Sequence, residues 1–250
     1  MLSEIDRAPV EVVNSESSRP VVLVCEHAGR SVPAVLGDLG LPQSVMDLHI
    51  AYDIGAGSVA RKLAAILDAP LVLQPYSRLV IDCNRPVDAG DAVPPVSDGV
   101  EVPANRDLQP AARQQRIDEI FTPFHQAVTA LFERCERRAF FAIHSFTRHL
   151  AGRERHWNIG FAARKDRITC ATIADRLRAL SPQLEIGMNE PYAIDDESDW
   201  TIPFHGEKRG VMHSLIEIRN DQLDDDQACG RWAEMLSDAI GALLVKNQKR

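Results

Sequence analysis

Short runs of consecutive apolar residues alternate along this chain with stretches whose apolar positions recur every three or four residues. The first pattern is that of strands buried on both faces and the second that of helices packed on them. Their alternation predicts a parallel or mixed sheet covered by helices. Val21 to Cys25 (VVLVC) is the first strand, and a long loop rich in turn residues runs from Gly29 to about Gln43. Ile54 to Leu67 reads as a helix with Val59, Leu63, Ile66 and Leu67 on one face, Asp53 at or just before its start, and Pro70 breaking it. Leu71 to Leu73 and Leu79 to Asp82 are expected as two strands.

From Val87 to Gln109 the sequence turns to Pro, Asp, Gly and Ala without periodicity. So long a loop inside a compact domain is expected to be mobile or functional, and its Asp88 to Gln109 part is read as a cover for a crevice. Pro110 to Arg138 is helical in pattern, with a kink predicted at Pro123. Ala139 to Ile143 (AFFAI) is a second buried strand. Trp157 to Phe161 is a strand, Arg167 to Leu180 a helix, Leu184 to Ile186 a short strand and Val211 to Ile218 the last strand, before a closing helix over Gln222 to Leu244. There is no internal repeat.

Composition narrows the function. A chain of 250 residues can bury one large core, so a single domain over 1–250 is expected, with polar, acidic Met1 to Ser18 read as a flexible N-terminus. The net charge of -8 argues against nucleic acid as a partner, because phosphate contacts need clustered Lys and Arg. Five cysteines show neither CxxC spacing nor a disulfide framework, and fit a cytoplasmic protein. No apolar stretch is long enough for a membrane span or a standard secretion signal, so no membrane partner is expected; the oligomeric state is left open.

Candidate chemistry sits where buried runs stop. VVLVC ends abruptly on Glu26-His27-Ala28-Gly29, and AFFAI ends on His144-Ser145. Open α/β sheets collect ligand chemistry in the loops at the carboxyl ends of their strands, so the two imidazoles can converge on one crevice. Two imidazoles with a carboxylate are the ligand set of a hydrolytic zinc site, which leaves a coordination position for water. Asp53 is the preferred carboxylate, because helix amides at its position would orient it. Glu26 is the alternative, although neighbours along an extended segment tend to point opposite ways. In VMHSLIEIRN the alternation puts Glu217 on one side with His213 and Leu215, and a carboxylate there is costly unless it pairs with a buried Arg or works. His49, His125, His149 and His156 are read as surface or local-packing residues, the last two near a rim. Gly55-Ala56-Gly57 lies inside a helical pattern with no strand before it, which argues against a dinucleotide loop.

The stretches CEHAGRSVP (25–33), AYDIGAG (51–57), SRLVIDCNRP (77–86), IHSF (143–146), NEPY (189–192), His205-Gly206 and IEIRND (216–221) resemble the N-formylglutamate amidohydrolase family, over nearly the whole chain from about Pro20. The resemblance implies a three-layer α/β/α hydrolase with a mixed, mostly parallel central sheet, phosphorylase/hydrolase-like. It also implies a metal and a small N-acyl amino acid substrate, N-formyl-L-glutamate first, cleaved to formate and glutamate. A more distant similarity to zinc carboxypeptidases assigns roles in chain order. His27, Asp53 and His144 would hold Zn2+, Glu217 would be the general base and Arg78 the oxyanion support. Asn84 and Arg85 would clamp the α-carboxylate, with Ser145, Tyr192 and His205 also at the substrate. The departure is the first pair: carboxypeptidases space it H-x-x-E, whereas Arg30 stands three residues after His27. Iron, cobalt, nickel or manganese could occupy the same donors. A glutamyl side chain needs a further basic group, with Arg148, Arg153, Arg155, Arg164, Lys208 and Arg209 as candidates. A deacylase or carboxypeptidase-like enzyme of other specificity, or a carboxylate-binding protein without catalysis, are the alternatives.

Overall fold

The computed structural model describes residues 1–246, the last as backbone only. Seven strands form the central sheet: β1 (Glu11–Val13), β2 (Val21–Cys25), β3 (Leu71–Leu73), β4 (Ala139–Phe146), β5 (Ile159–Ala162), β6 (Ile186–Met188) and β7 (Met212–Arg219), in the order β1-β3-β2-β4-β7-β5-β6. Strands β3, β2, β4 and β7 run parallel, β1 is antiparallel at one edge, and β5 with β6 runs antiparallel to β7. The main helices are α1 (Ala56–Leu67), α2 (Pro110–Arg116), α3 (Thr122–Arg134), α4 (Arg167–Leu180) and α5 (Asp226–Lys246).

The layers follow from strand alternation. Leu23, Phe141 and Ile216 face α1, α4 and α5 in one apolar core. Val24, Phe140, Ala142 and Leu215 face α3 and the long loops in a second. Every residue of β2 and β4 is buried, as the continuous apolar runs require. This is the expected mixed, mostly parallel three-layer α/β/α fold. No helix among the described residues is long and apolar enough to cross a membrane.

Several boundaries move. Leu79 to Asp82 is a turn and not a strand, although Leu79, Val80, Ile81 and Asp82 are all buried. Side chains replace the sheet ladder there: Asn105 Nδ2 donates to the Leu79 carbonyl at 2.8 Å and Arg116 Nη1 to that of Val80 at 2.8 Å. An apolar run by itself cannot distinguish these ways of satisfying a buried backbone. Residues 1–18, expected to be flexible, carry the edge strand β1, and the Met1 ammonium lies 2.7 Å from Glu119 Oε1. The short strand expected at Leu184 to Ile186 is Ile186–Met188. Pro123, where a kink is expected, is the second residue of α3, which directly follows a π-helical turn, Ile117–Phe121. The 87–109 segment has structure of its own, a hairpin pairing Val96–Ser97 with Val100–Glu101 and a 3-10 turn at Pro103–Asn105.

Candidate active site

The site lies at the carboxyl ends of β2, β4 and β7, where a cavity of about 370 Å³ is lined by His27, Asp53, Arg78, His144 and Glu217 among others. The parallel register sets Glu217 directly beside His144, and both point to the face opposite α1. That placement is strand arithmetic: Ile143 and Ile216 belong to the α1-side core, so the next residue on each strand faces the other way.

His27, Asp53 and His144 are all buried, and one donor atom from each lies within 4.8 Å of the others. His144 Nδ1 is 2.9 Å and His27 Nδ1 3.4 Å from the same oxygen, Asp53 Oδ2. The far nitrogens are held by carboxylates: His27 Nε2 by Asp82 Oδ1 at 2.7 Å, and His144 Nε2 by Glu26 Oε2 at 3.0 Å. Carboxylate–imidazole pairs of this kind fix the ring and its tautomer, with the other nitrogen turned to a metal. The geometry therefore separates the two candidate carboxylates. Asp53 sits at the point of convergence, and Glu26 stands behind His144.

Asp53 is not the N-cap of α1. Gly55 occupies that position with φ +81°, where a Cβ would come within 2.4 Å of the Leu223 side chain. The left-handed turn at Gly55 lets the chain leave Asp53 facing the imidazoles, with Ser145 N donating to Oδ2 at 3.2 Å.

Charge in the site is unbalanced. Four buried carboxylates, Glu26, Asp53, Asp82 and Glu217, meet two imidazoles and the Arg78 guanidinium. Burial opposes ionisation of Asp53 and Asp82, but the facing imidazoles, and for Asp82 also Arg78, hold both carboxyls below the usual carboxylate range. Burial opposes the charge on His144 as well, yet Glu26 and Asp53 raise its pKa well above that of free imidazole. Glu217 behaves differently: burial, with Asp53 adding to it, pushes its carboxyl up to about 7. Its Oε2 is buried without a hydrogen-bond partner among the described residues. A divalent cation among these donors would offset the excess negative charge, so the residues fit a metal.

The remaining expected residues divide. Arg78 lines the cavity and is braced by Asp82, with Nη2 2.7 Å from Oδ2. Asn84 lines it while pinning the opposite loop, through Nδ2 to Asp199 Oδ1 at 3.2 Å and from Thr201 N to Oδ1 at 3.1 Å. Arg85 bonds the Ser198 carbonyl and pairs with Asp91 at 3.0 Å. Ser145 lines the cavity, but its hydroxyl donates to the Ile54 carbonyl at 2.7 Å, leaving it only acceptor capacity. Tyr192 lines the mouth. His205 does not reach the cavity. It is fully buried in a π-helical turn, Ile202–Glu207, against Phe140. None of the six basic candidates for a side-chain pocket lines the cavity; Arg164, for example, is spent on Glu207 and Asp196.

Two residues escaped the sequence reading. Asp82 ends the apolar LVI run inside a loop, and an acid in that position was the available signal. His49 lines the cavity and pairs with Asp98, 3.4 Å away at the tip of the 96–101 hairpin. The 88–109 segment thus borders the mouth through Asp91 and Asp98 without lining it.

His205 has a different consequence. His125 Nε2 lies 2.9 Å from the Cys83 carbonyl and donates to it; burial keeps both rings neutral near pH 7, and in that state His125 Nδ1 accepts from His205 Nε2 at 3.0 Å. Burial lowers the pKa of His125 to about 4; burial, then His125, lowers that of His205 to about 2. A histidine depressed in the folded state takes up a proton on unfolding between its two pKa values, so stability is complete above pH 6.5 and falls as pH drops toward 4. For His125 the loss approaches about 3 kcal/mol, at 1.36 kcal/mol per pKa unit. Urea unfolding at pH 7.5 and 4.5 should show His125→Gln losing distinctly less stability on acidification than wild type. Equal losses would remove the pair from the acid response.

A profile of the N-formylglutamate amidohydrolase family matches residues 19–223. The chain belongs to that family. A gene product of Agrobacterium tumefaciens is 34% identical, with 99% of each chain covered and a TM-score of 0.90. An N-formylglutamate amidohydrolase from Ralstonia eutropha shares the fold at 19% identity, covering 93% of this chain and 96% of its own with a TM-score of 0.64. No curated protein matches the chain significantly. Family and fold are those of enzymes that hydrolyse amides.

Proposed function

We propose that this member of the family is a metal-dependent hydrolase of N-acyl amino acids, with N-formyl-L-glutamate as the first candidate substrate. The observation that carries the reading is the approach of both Nδ1 atoms to Asp53 Oδ2 beside the buried Glu217, whose Oε2 has no hydrogen-bond partner among the described residues. His27, Asp53 and His144 would hold the ion, zinc being favoured by two imidazoles and a carboxylate. When bound it supplies Lewis acidity to the amide carbonyl and lowers the pKa of water.

The protein's own groups do the rest. Glu217 takes a proton from the attacking water and returns it to the departing amine nitrogen, a role suited to a carboxyl poised near neutrality. Arg78, held rigid by Asp82, donates to the oxygen on which negative charge develops. Arg85 has donors beyond those bound to Ser198 and Asp91, and a guanidinium fork matches the substrate's α-carboxylate. Asn84 keeps the 199–201 wall in place. A binding protein without catalysis is disfavoured, because it has no use for a buried carboxylate oxygen, Glu217 Oε2, left without a partner among the described residues. The test is metal analysis of the purified protein followed by an acid-release assay across N-formyl and N-acetyl amino acids. Metal-loaded protein that releases no acid from any of them would end this reading.

A further inference from the structure

A glutamyl substrate carries a side-chain carboxylate, yet no spare guanidinium lines the cavity to receive it. Arg78 faces Asp82 and Asp53, and Arg85 is the proposed α-carboxylate clamp. One further cation lies immediately behind the wall. Arg155 is buried, and its Nη1 donates to the Tyr192 hydroxyl at 2.7 Å. Its Nε donates to the Thr147 carbonyl at 2.7 Å, and Nη2 to the Thr147 hydroxyl. Its guanidinium carbon also stands 5.1 Å from the Phe146 ring centroid and 5.5 Å from that of Tyr192.

Phe146, Thr147 and Tyr192 all line the cavity, so Arg155 is a strut that joins the wall after β4 to the wall carrying Tyr192. The backbone is built for this approach. At Gly160 on β5 a Cβ would come within 1.7 Å of the Glu190 carbonyl oxygen, so only glycine lets the 189–192 segment cross there. The phenol oxygen accepts from a charged donor, and its own proton forms no hydrogen bond among the described residues. A phenol whose lone pair is bound by a guanidinium is a stronger donor through its O–H, and a cation behind it favours an anion in front.

We propose that Tyr192 donates to the side-chain carboxylate of the substrate and that Arg155 is the positioning residue that orients and polarises it, so that together they select a glutamyl over a glutaminyl substrate. This rests on the amide-hydrolase reading above. The charged groups acting on Tyr192 are Glu217, Arg155 and Arg78, of which Glu217 opposes an anion and the two guanidinium groups favour one.

The test compares N-formylglutamate with N-formylglutamine on the metal-loaded, full-length enzyme for wild type, Tyr192→Phe, Arg155→Met, Arg155→Lys and the Phe/Met double variant. Wild type should prefer the glutamate. Tyr192→Phe should raise KM for it about tenfold, the range of one hydrogen bond to a charged group, and change KM for the glutamine analogue less than about twofold. Arg155→Met should reproduce that loss of selectivity, Arg155→Lys should restore part of it, and the double variant should lose no more than Tyr192→Phe alone. Equal losses on both substrates, additive losses in the double variant, or a wild type that does not discriminate would each overturn the assignment. Tyr192→Phe keeps the ring, so it decides the matter even where Arg155→Met fails to fold. A wild type that cleaves neither compound counts against the hydrolase reading instead. Calorimetric binding of glutamate and glutamine to the same proteins then tests the pair separately, with the same selectivity expected and its absence overturning the proposal.

Discussion

Replacing Glu217 by Gln should lower turnover about 10³-fold, within the range that general acid–base catalysis contributes, and should leave the metal content at the wild-type level. The substitution is nearly isosteric, so it changes neither the packing of β7 nor the register that sets residue 217 beside His144. It removes the capacity to take a proton from water and return it to the amine. Glu217 is not among the three converging donors, which is why metal binding should survive. Metal analysis with steady-state kinetics on the variant decides the point. Turnover above about a tenth of wild type would be too high for a protein that has lost its general base.

Asp53→Ala and Glu26→Gln should separate the two carboxylates that the sequence left as alternatives. Glu26 bonds the far nitrogen of His144, at 3.0 Å, and loss of such an outer partner should weaken metal affinity about 10–100-fold. Asp53 Oδ2 is the oxygen that both Nδ1 atoms face, so its removal leaves two imidazoles and should cost more than about 100-fold. Competition of each variant with a chelator of known affinity gives the two numbers. A larger loss in Glu26→Gln than in Asp53→Ala would exchange their roles.

Much of this site was visible in residue order. His27 and His144 each end a fully apolar run, and the sheet brings such ends together because parallel strands place their carboxyl ends on one edge. Glu217 could be assigned to a face because side chains alternate along a strand. The failures have equally physical causes. His205 follows a motif of the family, but nothing local says that its turn folds under Phe140 and away from the cavity. Leu79 to Asp82 has the composition of a strand, and only Asn105 and Arg116, from distant segments, make a buried turn affordable. His49 looked like a surface residue because its neighbour Asp98 is brought in by a hairpin 49 residues further on.

By itself the sequence determined the layered fold and marked His27, His144 and Glu217 as candidates, since these depend on patterns read within a few residues: uninterrupted burial, alternation, and an abrupt polar end. Only the tertiary structure decided which carboxylate meets the imidazoles and which stands behind one, that Asp82 braces both His27 and Arg78, and that the buried Arg155 reaches Tyr192 across 37 residues. Each of these is a contact between side chains from separate loops, whose meeting is set by the register of the sheet and by close approaches such as that at Gly160. Local periodicity carries no information about which loop ends face one another.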